Sequence, residues 1–206
     1  MTDSTLFRAV LTGGPCGGKT TCMQKLVTHF TGLGYEVFVL PEVPSILLAT
    51  GINLGELDLE AFISFERNLI QMQISLEEIF IDQAKRSKKP TLILCDRGTM
   101  DPSAYMNAEM WETILASRGW TSAQLRDERY DAVIHLVSAA IGAKEFYTTE
   151  NNEVRHETPE QAADLDRKVL KAWQAHSNHK IIDNSTGFDE KIRKVIEVIS
   201  QEMEVA

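Results

Sequence analysis

A chain of 206 residues, 43% hydrophobic and 25% charged, has room for one substantial core and the composition of an ordinary soluble globular fold. Its net charge of −9 disfavours nonspecific attachment to nucleic acid or anionic membranes, and no apolar run reaches bilayer-spanning length. Three cysteines without zinc spacing, and no basic segment leading into an apolar stretch at the N-terminus, point to reduced thiols in a cytoplasmic setting.

Leu6 to Leu11 reads as a short buried strand. It runs into Gly13-Gly14-Pro15-Cys16-Gly17-Gly18-Lys19-Thr20, which fits G-x-x-x-x-G-K-[ST], the loop that cradles nucleotide phosphates. Thr21 to Thr31 then reads as an amphipathic helix, closed by Gly32 and Gly34. A second strand, Tyr35 to Leu40, is ended by Pro41 and Pro44, with a short helix expected from Ser45 to Thr50. Asp58 to Lys88 keeps helical spacing without Gly or Pro. Thr91 to Cys95 is apolar throughout, as a strand buried on both faces of a parallel sheet would be, and stops at Asp96-Arg97-Gly98.

One or two helices are expected over Asp101 to Arg118, and a Thr121-capped one through Arg129. Asp131 to Val137 reads as a strand. The polar segment from about Gly142 to Glu157 reads as a lid-like loop. Thr158-Pro159-Glu160-Gln161 has the residues of a capping box opening a helix to about Ala175. A last strand, Lys180 to Asp183, and a terminal helix, Phe188 to Glu204, complete the chain. Strands alternating with helices imply a single α/β domain over 1–206, with helices on both faces of a parallel sheet. Ligands of such sheets bind beyond the carboxyl ends of the strands.

Candidate chemistry gathers at that edge. The loop glycines Gly13, Gly14, Gly17 and Gly18, with Pro15, Cys16, Lys19, Thr20 and Thr21, are expected to hold the phosphates through backbone N–H groups, a helix N-terminus and the lysine charge. Thr20 and Asp96 are the candidate Mg²⁺ residues. Arg97 is placed to clamp a phosphate or to pair with an acidic neighbour. Glu42, held between two prolines, is a candidate for an acceptor hydroxyl or a ribose. Arg155, in the polar loop, is a candidate cation arriving as a lid closes, with Lys144 a weaker one. Arg126 and Arg129, one helical turn apart, read as a solvated face rather than a phosphate clamp.

The phosphate loop, together with Leu94-Cys95-Asp96-Arg97-Gly98-Thr99-Met100-Asp101, Ala104-Tyr105-Met106, Val154-Arg155-His156-Glu157, Ala172-Trp173-Gln174-Ala175-His176 and Ile182-Asp183-Asn184-Ser185-Thr186, resembles an AAA-like domain. That domain is shared by bacterial nicotinamide-riboside kinase and the TRPL-translocation-defect proteins of animals, and the likeness is closer to the second branch. The resemblance implies a three-layer, kinase-like P-loop NTPase fold with a five-stranded parallel sheet. The strand of Asp96 would neighbour the strand of the phosphate loop. It implies ATP or GTP with Mg²⁺. One branch phosphorylates a small nucleoside. The other binds GTP and is tied to phosphoinositides and membrane-protein trafficking. The longer trafficking proteins carry a further C-terminal domain, and this chain ends before one, so phosphoinositide binding is not expected. The N-K-x-D guanine motif is absent around Asn178 to Asp183.

The leading expectation is therefore phosphoryl transfer from a purine nucleoside triphosphate to a small hydroxyl acceptor such as a nucleoside. The alternative is a nucleotide-dependent regulatory module, a slow NTPase acting in trafficking through partners.

Overall fold

The computed structural model describes residues 6–143, 145, 147 and 158–205. Five strands, β1 (Leu6–Thr12), β2 (Glu36–Leu40), β3 (Thr91–Asp96), β4 (Ala132–Leu136) and β5 (His179–Ile182), form one sheet in the order β2-β3-β1-β4-β5. All pairings are parallel, with Leu11 opposite Asp96 and Thr12 opposite His135 in register. The strand of Asp96 thus lies beside the strand of the phosphate loop, as the resemblance implies.

Among the described residues, seven α-helices accompany the strands: α1 (Lys19–Gly32), α2 (Val43–Leu48), α3 (Leu59–Ala84), α4 (Ala108–Arg118), α5 (Ser122–Arg126), α6 (Pro159–Trp173) and α7 (Phe188–Val205). Alternation along the central strands splits the core in two. Ala9, Leu11, Leu92 and Leu94 face a cluster with Leu26 and Phe30 of α1 and Val195 and Ile199 of α7. Val10, Ile93 and Cys95 face the other layer, with Ile70 and Ile74 of α3, Ile114 of α4, Leu125 of α5 and Trp173 of α6. Each large apolar side chain so buried contributes about 1.5–3 kcal/mol relative to exposure. The fold is the three-layer α/β arrangement expected. No helix of the described residues is long and apolar enough to cross a membrane.

The boundaries follow local chemistry. Asp58 caps α3 by accepting from the Ala61 N–H at 2.8 Å, and Asn107 caps α4 through Met110 at 2.9 Å. Thr121 with Gln124 and Thr158 with Gln161 form complete capping boxes. Some expectations are corrected. α1 begins at Lys19, because Gly18 in the left-handed region already starts the helix. α2 begins at Val43, because Pro44 occupies its first turn. α3 ends at Ala84 and α5 at Arg126, short of Lys88 and Arg129. Residues Asp101–Tyr105 form a 3₁₀ turn separate from α4. The candidates Lys144 and Arg155 lie outside the described residues.

Candidate active site

Residues 13–18 connect β1 to α1. Gly13 has φ of +127°, and a Cβ there would intrude on the Leu136 carbonyl oxygen at the end of β4. Only glycine lets the loop pass so close in that conformation. A second anchor comes from α6. Asp166 Oδ1 accepts from the Gly14 N–H at 2.7 Å and the Ser138 N–H at 3.0 Å, while Oδ2 lies 3.2 Å from His135 Nε2. Burial pushes this carboxyl upward, but His135 and the two N–H donors hold it below its ordinary value. The loop is therefore pinned to β4 and α6. No side chain of the described residues caps α1 at Gly18, so the first-turn N–H groups are left for an anion.

Lys19 is buried, its Nζ donating to the carbonyls of Gly13 at 3.1 Å and Gly14 at 3.0 Å. Burial, then Arg97, lowers its pKa to about 8, against the pull of Asp96, Glu42 and Asp101. That environment has room for a phosphate charge: carbonyl dipoles alone leave a desolvated ammonium undersatisfied. Asp96, at the end of β3, has Oδ1 buried without a hydrogen-bond partner among the described residues. Burial raises its pKa, with Lys19 acting in the opposite sense. The Thr20 hydroxyl belongs to an exposed residue at the start of α1. An orphaned carboxylate oxygen and a hydroxyl are hard oxygen donors, the type that fits Mg²⁺.

Arg97 adopts φ of +69°, a left-handed conformation that costs a non-glycine residue about 1–3 kcal/mol. Its guanidinium turns back over the loop. Nε donates to Glu42 Oε1, and Nη1 donates to Asp101 Oδ1 at 3.2 Å and to the Gly13 carbonyl at 3.4 Å. Ser45 donates to the other Glu42 oxygen at 2.8 Å. Burial alone would raise the Glu42 carboxyl, but Arg97 and Ser45 bring it below its ordinary value. Asp101 is the buried centre of this cluster. It also accepts from Thr12 Oγ1 at 2.6 Å, the Gly98 N–H at 3.0 Å and Trp173 Nε1 at 2.9 Å. Thus β1, β2, β3 and α6 are tied together where the phosphate loop begins.

Beside this cluster opens a cavity of about 650 Å³. Pro15 of the phosphate loop, Glu42, Arg97 and Asp101 form one part of its wall, and Leu48, Phe65, Glu66, Leu69 and Tyr105 contribute to the rest. Apolar walls with a few polar groups are the usual make-up of a small-molecule site.

Residues 8–191 match the profile of a family described as an AAA domain. The chain belongs to this AAA-domain family. Its phosphate loop is accordingly that of a P-loop nucleotide-binding protein. No curated protein matches the chain.

In the AAA domain Lys19, Glu42, Asp96 and Arg97 meet around the start of the phosphate loop, linked by hydrogen bonds or mutual electrostatics. Arg126 pairs with Asp127 at the surface. Arg129 departs from the expected solvated face: its Nε donates to Glu77 Oε2 at 2.7 Å, and Glu77 is buried. Three residues now part of the site were not singled out individually from sequence: Asp101, Asp166 and Glu66. For the last two the available signal was an acid on an apolar helical stripe. Asp166 stands between Ala162, Val169 and Trp173, all buried, and Glu66 beside Phe65, Leu69 and Ile70.

Proposed function

We propose that this domain transfers the γ-phosphoryl group of a purine nucleoside triphosphate, ATP or GTP, to the hydroxyl of a small molecule held in the cavity. The observation that carries the reading is the cavity itself, whose wall includes Pro15 of the phosphate loop and the Glu42–Arg97–Asp101 cluster. In this reading the chain is a single nucleotide-binding domain. Lys19 and the backbone N–H groups of the phosphate loop hold the phosphates, apart from Pro15, which has none, and Gly14, whose N–H is held by Asp166; Lys19 exchanges its carbonyl partners for phosphate oxygens. Thr20 and Asp96 would hold Mg²⁺, which when bound supplies neutralisation of phosphate charge. Glu42, ionised beside Arg97, accepts a hydrogen bond from the acceptor hydroxyl and aims it. A loose transition state needs positioning more than early proton removal, so a weakly basic carboxylate suffices. Arg97, from its place in the Glu42–Asp101 cluster, and Arg155, which lies outside the described residues, are the cations assigned in this reading to the charge of the transferring group. Pro15 and the apolar wall exclude water that would otherwise compete.

The test is a screen of nucleosides and sugars with labelled ATP and GTP. Label should appear in an acceptor, and Asp96→Asn should retain nucleotide binding without Mg²⁺ while losing the gain that Mg²⁺ brings. Equal Mg²⁺ dependence in parent and variant would make Asp96 a structural residue.

One observation favours a second reading, a nucleotide-dependent binding module that hydrolyses slowly. Both Glu42 oxygens are already engaged, by Arg97 and Ser45. Nucleotide binding with slow release of phosphate to water, unchanged by every acceptor, would select it.

A further inference from the structure

The apolar stripe of α3 carries three polar residues, Glu66, Gln73 and Glu77, all buried. Two of them satisfy each other. Gln73 Nε2 donates to Glu77 at 2.8 Å, and Glu77 also accepts from Tyr130 at 2.6 Å and from Arg129. Glu66 differs. It is only 6% exposed, yet it makes no hydrogen bond or ion pair among the described residues, and it lines the cavity. A buried carboxyl left without a partner costs stability, so a fold that only needed to fill space would place Leu or Met there.

The charges around the cavity are unbalanced. Among the described residues that line it, Glu42, Asp101 and Glu66 contribute three carboxyls, and Arg97 one guanidinium. Arg97 is already committed to Glu42 and Asp101. Glu66 is thus left uncompensated on α3, a different element from those carrying the Glu42–Arg97 pair. Burial raises its pKa to about 7, so near neutrality it takes either form, and a cationic or N–H-bearing partner favours the ionised one.

We propose that Glu66 is the specificity-determining residue of the cavity, receiving a nitrogen hydrogen-bond donor on a neutral or cationic small molecule and rejecting anionic ones. The proposal deepens the acceptor reading and rests on it for the word acceptor. The hydroxyl to be modified would meet Glu42, while the nitrogen donor of the same molecule meets Glu66. Phe65 and Leu69, neighbours of Glu66 on α3, supply apolar surface for the body of the ligand. A carboxylate or phosphate at that end would face Glu66 without a cation to offset it, a like-charge contact in a partly desolvated site.

The experiment uses three probes of one shape: benzamidine, benzyl alcohol and benzoate. Their binding to the full chain is measured by ligand-observed NMR titration without nucleotide, so the result does not depend on catalysis. Benzamidine should bind at least about tenfold more tightly than benzoate, with benzyl alcohol between them. Glu66→Gln, which keeps shape and removes the charge, should bring benzamidine and benzoate within about threefold. Equal binding of all three by the parent, no binding of benzamidine, or an unchanged preference in the variant would overturn the proposal. A separate arm measures label transfer from ATP and GTP to cytidine, uridine and orotidine, matched ribosides bearing an amine, a carbonyl and a carboxylate. Charge-selective probe binding without any transfer would sink the kinase reading and leave the Glu66 assignment standing. Transfer to orotidine as fast as to cytidine would overturn the assignment and leave the kinase.

Discussion

Glu66 gives the most direct residue-scale test of how the site is built, because its folded-state cost can be read without any ligand. Burial alone raises its carboxyl from 4.5 to about 7. Below the lower value both folded and unfolded chains hold the proton, and nothing is lost. As pH rises through that window the unfolded chain releases the proton while the folded chain keeps it, so stability falls. Above about 7 the full penalty is present, up to about 3 kcal/mol from 1.36 kcal/mol per unit. Glu66→Gln removes the titration and keeps the shape. The variant should therefore melt several degrees above the parent at about pH 8 and close to it at about pH 4. Paired thermal melts at the two pH values check this. A variant less stable than the parent at the higher pH would mean that Glu66 has a partner worth more than its burial costs. The same residue shows what sequence concealed. Lys19, Glu42, Asp96 and Arg97 were legible because each ends a strand or sits in a motif, and a parallel sheet brings those ends to one edge. Glu66 and Asp166 lie mid-helix, and only packing decides whether such a residue points to water or inward.

At the scale of elements, α6 does more than cover the sheet. Its buried stripe delivers Asp166 to the phosphate loop and, about two turns further on, Trp173 to Asp101, so that one helix holds both halves of the site. Gly14 is glycine for this reason: a Cβ would lie 2.7 Å from the Asp166 Cβ. Asp166→Ala should leave the buried N–H groups of Gly14 and Ser138 without their acceptor. At about 1–3 kcal/mol for each unsatisfied donor, the loss should be about 3 kcal/mol or more. Nucleotide affinity should fall with it, because the loop loses its anchor. Asp166→Asn keeps an oxygen in place and should lose less. Urea unfolding of the two variants, with nucleotide titrations, measures both effects. If alanine were as stable as the parent, water would have to replace the carboxylate and the anchoring role would be withdrawn. The capping box of α6 was readable from four residues and the cap of α5 from Thr121, but the Asp166 contact spans 152 positions in sequence. No local signal encodes such a partner. The acid on an apolar stripe announces that a partner exists without saying which.

For the whole molecule, the strand order places the site. After β1 the chain passes into α1 on one face, and after β3 it passes toward α4 and α5 on the other. The adjacent strands β1 and β3 therefore part at their carboxyl ends, and the crevice between them receives the phosphate loop, Asp96 and Arg97. The arrangement concentrates groups that do not help folding: a desolvated lysine, an orphaned carboxylate oxygen and a left-handed arginine. Ligand binding should relieve the first of these, so nucleotide should stabilise the entire fold by mass action. At a hundredfold excess over Kd the gain is about 2.7 kcal/mol, which for a domain of this size raises the melting temperature by roughly 5–10 °C. Lys19→Ala should abolish that rise with ATP and GTP alike at the same concentrations. It should leave the ligand-free melting temperature unchanged or higher, because the variant no longer buries an ammonium on two carbonyls. Thermal melts with and without each nucleotide check both halves. A ligand-free melting temperature that drops sharply would make Lys19 a structural tie between Gly13 and Gly14. An undiminished nucleotide shift in the variant would remove the phosphate-binding assignment from the loop.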